Sequence, residues 1–222
     1  MIIIFSYNRP EWLMEQLQEL SFKSRGEHIV VIDDGSSYDP TEHEKYCTYF
    51  RTIHRGKIEF YIQWQFALHL AKSTAYTRFI FMPDDIKDLD LNSLFKYYDI
   101  FNHEVGKFAL NYMRDGIERN WTNIIPRDVK GLTTVYQDKA VDGAFITNRK
   151  TLHSLGWKME KVDPNRFRID GISSGVGSQL SERLVESGIP IYTPYESLCY
   201  HRGWYESEMH TEKRKKDNMR AI

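Results

Sequence analysis

The chain has 222 residues, of which 41% are hydrophobic and 27% charged, which provides for a buried core and excludes disordered and fibrous architectures. The formal net charge of −1 argues against a generally basic nucleic-acid-binding surface. Only two cysteines are present, without a paired-cysteine metal motif, so the composition favours a reducing, cytoplasmic setting and no disulfide. The apolar start of the chain is too short to span a bilayer, and we expect no transmembrane segment.

Three strand-like apolar runs each end abruptly in polar residues. Because parallel strands end at the same edge of a sheet, their polar ends are expected to converge on one ligand. Two adjacent carboxylates after a buried strand form a hard-oxygen site for a divalent ion, which phosphate oxygens commonly complete. The runs are residues 1–5, followed by SYNRP, residues 29–32, followed by DDGS, and residues 79–82, followed by PDD.

Helical periodicity separates these strands. Residues 11–20 and 61–71 place apolar side chains at helical spacing, and Pro10 suits the first turn of the earlier helix. The order strand, helix, strand is typical of a parallel sheet covered by helices, so we predict an α/β fold. Further along the chain, helices are predicted at 92–103 and 179–188, strands at 107–112, 141–146 and 189–195, and a polar acceptor-side loop at 114–131.

In this order, the three motifs resemble those of the nucleotide-sugar domain of GT-A fold glycosyltransferases of the broad family-two type. The resemblance implies a Rossmann-like, three-layer α/β sandwich around a mixed, mainly parallel sheet, with a short helix at 149–155. It further implies a single GT-A domain at residues 1–204, with a nucleotide-sugar-binding half at 1–90 and an acceptor-side half at 91–204. Residues 205–222 form a basic C-terminal tail.

The resemblance also implies a site for Mn²⁺ or Mg²⁺. The usual acidic signature of the family is Asp-X-Asp, and Pro83 occupies its first acidic position here. We therefore expect Asp85 to bind the metal directly and Asp84 to contact the ribose or a metal-bound water; a solvated turn is the alternative. His201, which follows the last strand, is the second expected metal ligand, because GT-A transferases often return a histidine to the metal and diphosphate. A lone histidine is otherwise usually an ordinary polar or core residue.

The donor is expected to lie between the first two motifs. Asp33 or Asp34 would bind the base or the ribose, although Asp-Gly-Ser also suits an ordinary tight turn. For Arg9 the alternative is a structural ion pair, and for the phosphate-contacting residues Lys57 and Arg202 it is an exposed surface charge. The predicted donor-binding residues are Ser6, Asn8, Arg9, Asp33, Asp34, Lys57, Asp84 and Arg202.

A general base is expected before the helix that carries LSERL at residues 180–184. Many inverting relatives have Glu-Asp at that place, and here Val176-Gly177 occupies it. Asp170 is the first replacement candidate and Asp142 the second; either could instead cap a loop.

The expected activity is metal-dependent, inverting transfer of a sugar from a nucleoside-diphosphate sugar, with a UDP-sugar favoured, to an acceptor hydroxyl. A nucleotidyltransferase is one alternative, although no glycine-rich phosphate loop follows the first strand. A noncatalytic nucleotide-sugar-binding module is the other, because the acidic pair is missing. The acceptor stays open among glycans, lipid-linked sugars, proteins and hydroxymethylated bases of phage DNA, the last implying the host cytoplasm. Basic residues that could meet DNA are Arg114, Arg119, Arg127, Lys130 and those of the tail.

Overall fold

The computed structural model describes residues 1–24, 26–54, 59–113, 126–127, 132, 134–141, 143–161 and 175–205, and all structural statements below concern these residues. In chain order, the helices and strands of the described ranges are β1 (Ile2–Ser6), α1 (Pro10–Lys23), β2 (Ile29–Asp33), a 3₁₀ helix (His43–Lys45), β3 (Thr48–Arg51), α2 (Tyr61–Ser73), β4 (Arg78–Pro83), β5 (Ile86–Lys87), α3 (Leu91–Glu104), β6 (Ala109–Asn111), β7 (Pro126–Arg127), β8 (Val135–Asp138), β9 (Phe145–Asn148), α4 (Arg149–Ser154), α5 (Val176–Glu186), β10 (Ile191–Pro194), β11 (Tyr200–His201) and α6 (Arg202–Tyr205).

A central sheet of nine strands organises the described part of the chain, in the order β3-β2-β1-β4-β9-β6-β10-β8-β7. Strands β1 to β4 are mutually parallel. The antiparallel pairings all involve β8 or β9, so these two strands run against the other seven. The predicted mixed, mainly parallel sheet is therefore confirmed.

Helices cover both faces of this sheet. The side chains of Ile2 and Ile4 in β1 lie in one apolar core together with residues of α1 and α3. The alternate residues Ile3 and Phe5 lie in a second core with residues of α2, α4 and α5. Because successive side chains of a strand point to opposite faces, a strand buried on both faces reads as the unbroken apolar run seen in the sequence. The three-layer α/β architecture is confirmed.

Several predicted boundaries differ from those observed. The strand predicted at 141–146 is found at Phe145–Asn148, because Val141 and Ala144 are buried outside the sheet pairing. The strand ends at Asn148, which pairs with Arg78 of β4, and the Asn148 side chain accepts a hydrogen bond from the Thr151 N–H and caps α4. The edge strand β3 was not predicted, because its residues are exposed or only half-buried and form no apolar run.

A second, two-stranded sheet joins the end of the chain's described part to the segment after β4. In this sheet β11 pairs with β5 so that His201 lies opposite Ile86. The Arg202 N–H then donates to the Asp85 carbonyl oxygen at 2.9 Å. Residues 201–203 are thereby fixed beside Asp85. None of the helices in the described ranges combines the length and apolar character needed to cross a membrane.

Candidate functional site

The three polar motifs meet at the carboxyl edge of the sheet. Ser6 at the end of β1 is in register with Asp33 at the end of β2, and Phe5 is in register with Pro83 of β4. Past the strand ends, the Asp34 N–H donates to the Ser6 carbonyl at 2.9 Å and the Asp84 N–H to the Phe5 carbonyl at 3.0 Å. This edge is where α/β proteins bind their ligands, as the sequence predicted.

Asp84 is held by the loop that follows β1. Its carboxylate accepts hydrogen bonds from the Ser6 hydroxyl at 2.9 Å, the Tyr7 N–H at 3.2 Å and Arg9 Nη1 at 3.0 Å. Burial raises the pKa of Asp84 to about 6, against the opposing effect of the Arg9 charge. Ser6, Arg9 and Asp84 are therefore brought together, and both carboxylate oxygens of Asp84 accept hydrogen bonds.

Asp85 divides its two carboxylate oxygens between different neighbours. Oδ2 accepts a hydrogen bond from Arg9 Nη1 at 2.8 Å, so that one guanidinium bridges Asp84 and Asp85. Oδ1 is buried, accepts no hydrogen bond and lies 3.4 Å from Nε2 of His201. Burial opposes ionisation of Asp85, but the nearby His201 and Arg9 outweigh it and lower the pKa of this carboxyl.

The predicted metal ligands Asp85 and His201 thus lie side by side. Within the described ranges, no group of three or more His, Cys, Asp and Glu side chains could hold a metal ion. The bare, buried Asp85 Oδ1 beside an imidazole nitrogen nevertheless fits a divalent cation that takes its other ligands from phosphate and water, as Mg²⁺ commonly does. The donor set therefore fits a metal that binds together with a diphosphate.

Gly203 allows residues 201–203 to approach this close. A Cβ atom at position 203 would lie 2.1 Å from Asp85 Oδ2 and 2.9 Å from His201 Nε2. Any other residue would collide with the carboxylate. Nothing in the sequence around Gly203 indicated this requirement, which arises from a contact between distant segments.

Arg202 lies at the rim of the same site and is itself buried. Its guanidinium donates to Glu15 of α1 and lies over the ring of Trp12. The predicted Arg202 is therefore at the site, but its described partners belong to α1.

Asp33 and Asp34 have different surroundings although they are adjacent. The Asp33 carboxylate is fully buried and accepts hydrogen bonds from the Ser36 N–H and hydroxyl and from Arg51 Nε, the last at 2.7 Å. The Asp34 carboxylate accepts hydrogen bonds from His54 Nδ1 at 2.8 Å and from the Gln63 amide. The Asp33 carboxylate therefore anchors its turn, and Asp34, which is 8% exposed, is the more accessible of the two.

An aromatic pair that the sequence reasoning missed lies beside Asp34. The rings of Tyr7 and His54 stack with centroids 4.2 Å apart and an interplanar angle of 11°. Tyr7 is 41% exposed, so the pair offers an open aromatic surface at the sheet edge. Tyr7 could be found from the sequence, because it lies in the motif that follows β1, whereas nothing in the sequence indicated His54.

Asn8 holds the first two loops together. Its backbone is left-handed, with φ of 51°, and its N–H donates to Ser36 Oγ at 2.8 Å. Its side-chain oxygen accepts a hydrogen bond from the Ser37 N–H at 3.1 Å. The predicted residues Lys57, Asp142 and Asp170 lie outside the described residues, as do Arg114, Arg119, Lys130 and the side chain of Arg127.

Known proteins that resemble this chain were found by comparing structures. No protein-family profile matches the chain, and no curated protein matches it. A protein described as a candidate nucleotide-diphospho-sugar transferase from Desulfovibrio desulfuricans G20 aligns with a TM-score of 0.50 at 13% identity, over 99% of this chain and 93% of that one. The fold is that of the GT-A nucleotide-sugar transferases.

Two further solved structures align with the chain. A mycobacterial protein aligns with a TM-score of 0.53 at 14% identity over 90% of this chain, which spans 66% of that protein's length. CMP:2-keto-3-deoxy-manno-octonic acid synthetase in complex with CTP aligns more loosely, with a TM-score of 0.46 at 13% identity, over 87% of this chain and 88% of that one. At 13% and 14% identity, the two alignments with TM-scores of 0.50 and 0.53 show the fold and not the activity.

Proposed function

We propose that the chain is a glycosyltransferase that moves a sugar from a nucleoside-diphosphate sugar to an acceptor hydroxyl. The observation that carries this proposal is the constellation of Arg9, Asp84, Asp85 and His201 at the carboxyl edge of a GT-A-like sheet. The fold alone is compatible with several activities, so the proposal depends on these side chains.

The donor nucleoside would bind beside Asp34, with its base against the open surface of the Tyr7–His54 pair. Aromatic rings and base faces stack favourably, and a carboxylate accepts hydrogen bonds from base N–H groups or ribose hydroxyls. A UDP-sugar is the favoured donor. The diphosphate would then lie toward Arg9 and Arg202, whose guanidinium groups suit phosphate oxygens.

Asp85 and His201 would hold a Mn²⁺ or Mg²⁺ ion, and Asp84 would support them through its bond to Arg9. When bound, such an ion neutralises the negative charge that develops on the leaving diphosphate. The chain's own contribution is to keep Asp85 ionised, since His201 and Arg9 lower its pKa.

The proposed reaction is inverting. The acceptor oxygen attacks the anomeric carbon while its proton passes to a carboxylate, and the bond between the anomeric carbon and the diphosphate breaks with its electron pair going to the diphosphate. Asp170 is the proposed base and Asp142 the second candidate. The place that Glu-Asp has in many inverting relatives is taken here by the buried Val176 at the start of α5.

This replacement favours one second candidate function, a nucleotide-sugar-binding module without catalysis. A single experiment distinguishes the possibilities: the protein is incubated with Mn²⁺ and a panel of nucleoside-diphosphate sugars, with and without glycan, lipid-linked, protein and hydroxymethylated DNA acceptors. Nucleotide release that depends on an acceptor, with the matching mass increase of that acceptor, supports the transferase.

The other outcomes separate the alternatives. Tight nucleotide-sugar binding without transfer to any acceptor indicates the binding module. Release of pyrophosphate from a nucleoside triphosphate and a sugar phosphate indicates a nucleotidyltransferase. An Asp85→Asn variant serves as the negative control, since it loses the charge of the proposed metal ligand but keeps its size.

A further inference from the structure

Trp12 of α1 lies beside both arginines of the candidate site. The guanidinium carbon of Arg9 is 5.1 Å from the centroid of the Trp12 ring, and that of Arg202 is 5.6 Å from it. Both distances are within the range of a cation–π interaction. One indole ring thus contacts a residue near the start of the chain and another that lies 193 positions later.

Each arginine is also held by a carboxylate. Arg9 Nη1 bridges Asp84 and Asp85, and the Arg202 guanidinium donates to Glu15, which lies almost one helical turn after Trp12. The backbone of Arg202 is fixed as well, because its N–H donates to the Asp85 carbonyl oxygen at 2.9 Å. Each guanidinium therefore has both the ring and at least one carboxylate as a partner.

The Nε group of Arg202 is a buried donor without an acceptor. Only 8% of the residue is exposed, so water does not readily replace the missing partner. A buried N–H group that lacks a partner is costly, and a phosphate oxygen is an acceptor that a guanidinium binds strongly. A phosphate oxygen of a bound ligand would supply the acceptor that this donor lacks.

Trp12 has little part in the apolar core. The core contacts of α1 come from Leu13, Leu17 and Leu20, all of which are fully buried, whereas Trp12 is half-buried. Its ring instead lies against the two guanidinium groups.

We propose that Trp12 is a positioning residue that holds Arg9 and Arg202 in the orientation that binds the diphosphate of the donor. This inference rests on the proposed function and adds to it a residue that makes no contact with the reacting atoms. A guanidinium that is already ordered against a ring loses less conformational entropy when it binds phosphate, so the ring strengthens diphosphate binding without touching the ligand.

The test compares a ligand that carries the diphosphate with one that lacks it. Dissociation constants for UDP and for uridine are measured by calorimetry on the full chain in the presence of Mn²⁺, together with the melting temperature. We expect Trp12→Leu and Trp12→Met to weaken UDP binding about tenfold, equivalent to about 1.4 kcal/mol, while uridine binding changes less than about twofold. Trp12→Phe keeps an aromatic face and is expected to retain most of the UDP affinity.

Phe22→Leu is the matched control, because Phe22 is an aromatic residue of the same helix that is 90% exposed. This variant should bind UDP like the wild type. UDP affinity unchanged in both Trp12→Leu and Trp12→Met would overturn the inference, as would an equal loss of UDP and uridine binding, which indicates a general structural role. A wild-type protein that binds no nucleoside diphosphate, tested with UDP, GDP, CDP and TDP, would instead refute the proposed function and the inference with it.

Discussion

Replacement of Gly203 by alanine tests whether the close approach of residues 201–203 to Asp85 matters. The added Cβ would lie 2.1 Å from Asp85 Oδ2 and 2.9 Å from its Cγ. Non-bonded heavy atoms come into favourable contact at about 3.5 Å, so either the carboxylate or the 201–203 backbone has to move by more than about 1 Å. The carboxylate cannot rotate away freely, because it is buried and Arg9 holds Oδ2.

A shift of this size should separate Asp85 from Arg9 or from His201. Displacement of catalytic groups by about 1 Å can lower turnover about 100-fold, and we expect a loss on that scale in Gly203→Ala. Loss of a hydrogen bond to a buried carboxylate costs about 1–3 kcal/mol, so the melting temperature should also fall by several degrees. Turnover is measured as nucleotide release in the presence of Mn²⁺, and stability by thermal unfolding.

Gly143→Ala is the control for this substitution. No atom lies within 4 Å of a Cβ built at Gly143, and its backbone is not left-handed, so the same chemical change there should leave the melting temperature close to that of the wild type. Wild-type turnover and stability in Gly203→Ala would refute the contact between Gly203 and Asp85, and with it the placement of His201 beside the carboxylate.

Three further predictions follow from the remaining site residues. Asp85→Asn should abolish Mn²⁺-dependent turnover and lower the melting temperature by a few degrees, because Arg9 loses one of its two carboxylate partners and keeps Asp84; unchanged metal affinity measured by calorimetry would contradict the ligand assignment. Asp34→Ala should weaken binding of the free nucleoside diphosphate more than it alters metal preference, whereas Asp33→Ala should mainly lower the melting temperature, because it leaves Arg51 and Ser36 without their carboxylate. Asp170→Asn should preserve donor binding but reduce transfer by about 100-fold or more, with inverted product configuration by NMR; near-normal transfer or retained configuration would reject this base.

The fold could be predicted from sequence where the signal is local. The apolar runs of β1, β2 and β4 show in the sequence that both faces of these strands are buried, and the polar residues that follow mark one edge of the sheet. Convergence of Ser6, Asp33 and Asp84 follows from the rule that parallel strands end together. The mini-sheet of β5 and β11 gave no such signal, because each of its strands has only two residues and they are joined by a long-range pairing.

Adjacent residues with the same side chain could not be told apart from sequence. Asp33 and Asp34 stand at the end of one strand, where successive side chains point to opposite sides. One carboxylate is directed to Arg51 and Ser36 and the other to His54 and Gln63. Which of the two faces the ligand depends on where β3 and α2 lie, and the sequence around DDGS contains no information about that.

The two carboxylate oxygens of Asp85 have different surroundings, so one oxygen could bind Arg9 while the other binds a metal ion. Oδ2 binds Arg9, which also binds Asp84, so the single positive charge of Arg9 offsets only part of the negative charge of the pair. Oδ1 makes no hydrogen bond and faces His201. In the proposed function, a cation would use Oδ1 and His201 while Arg9 keeps Oδ2, so metal binding would not require the ion pair to break.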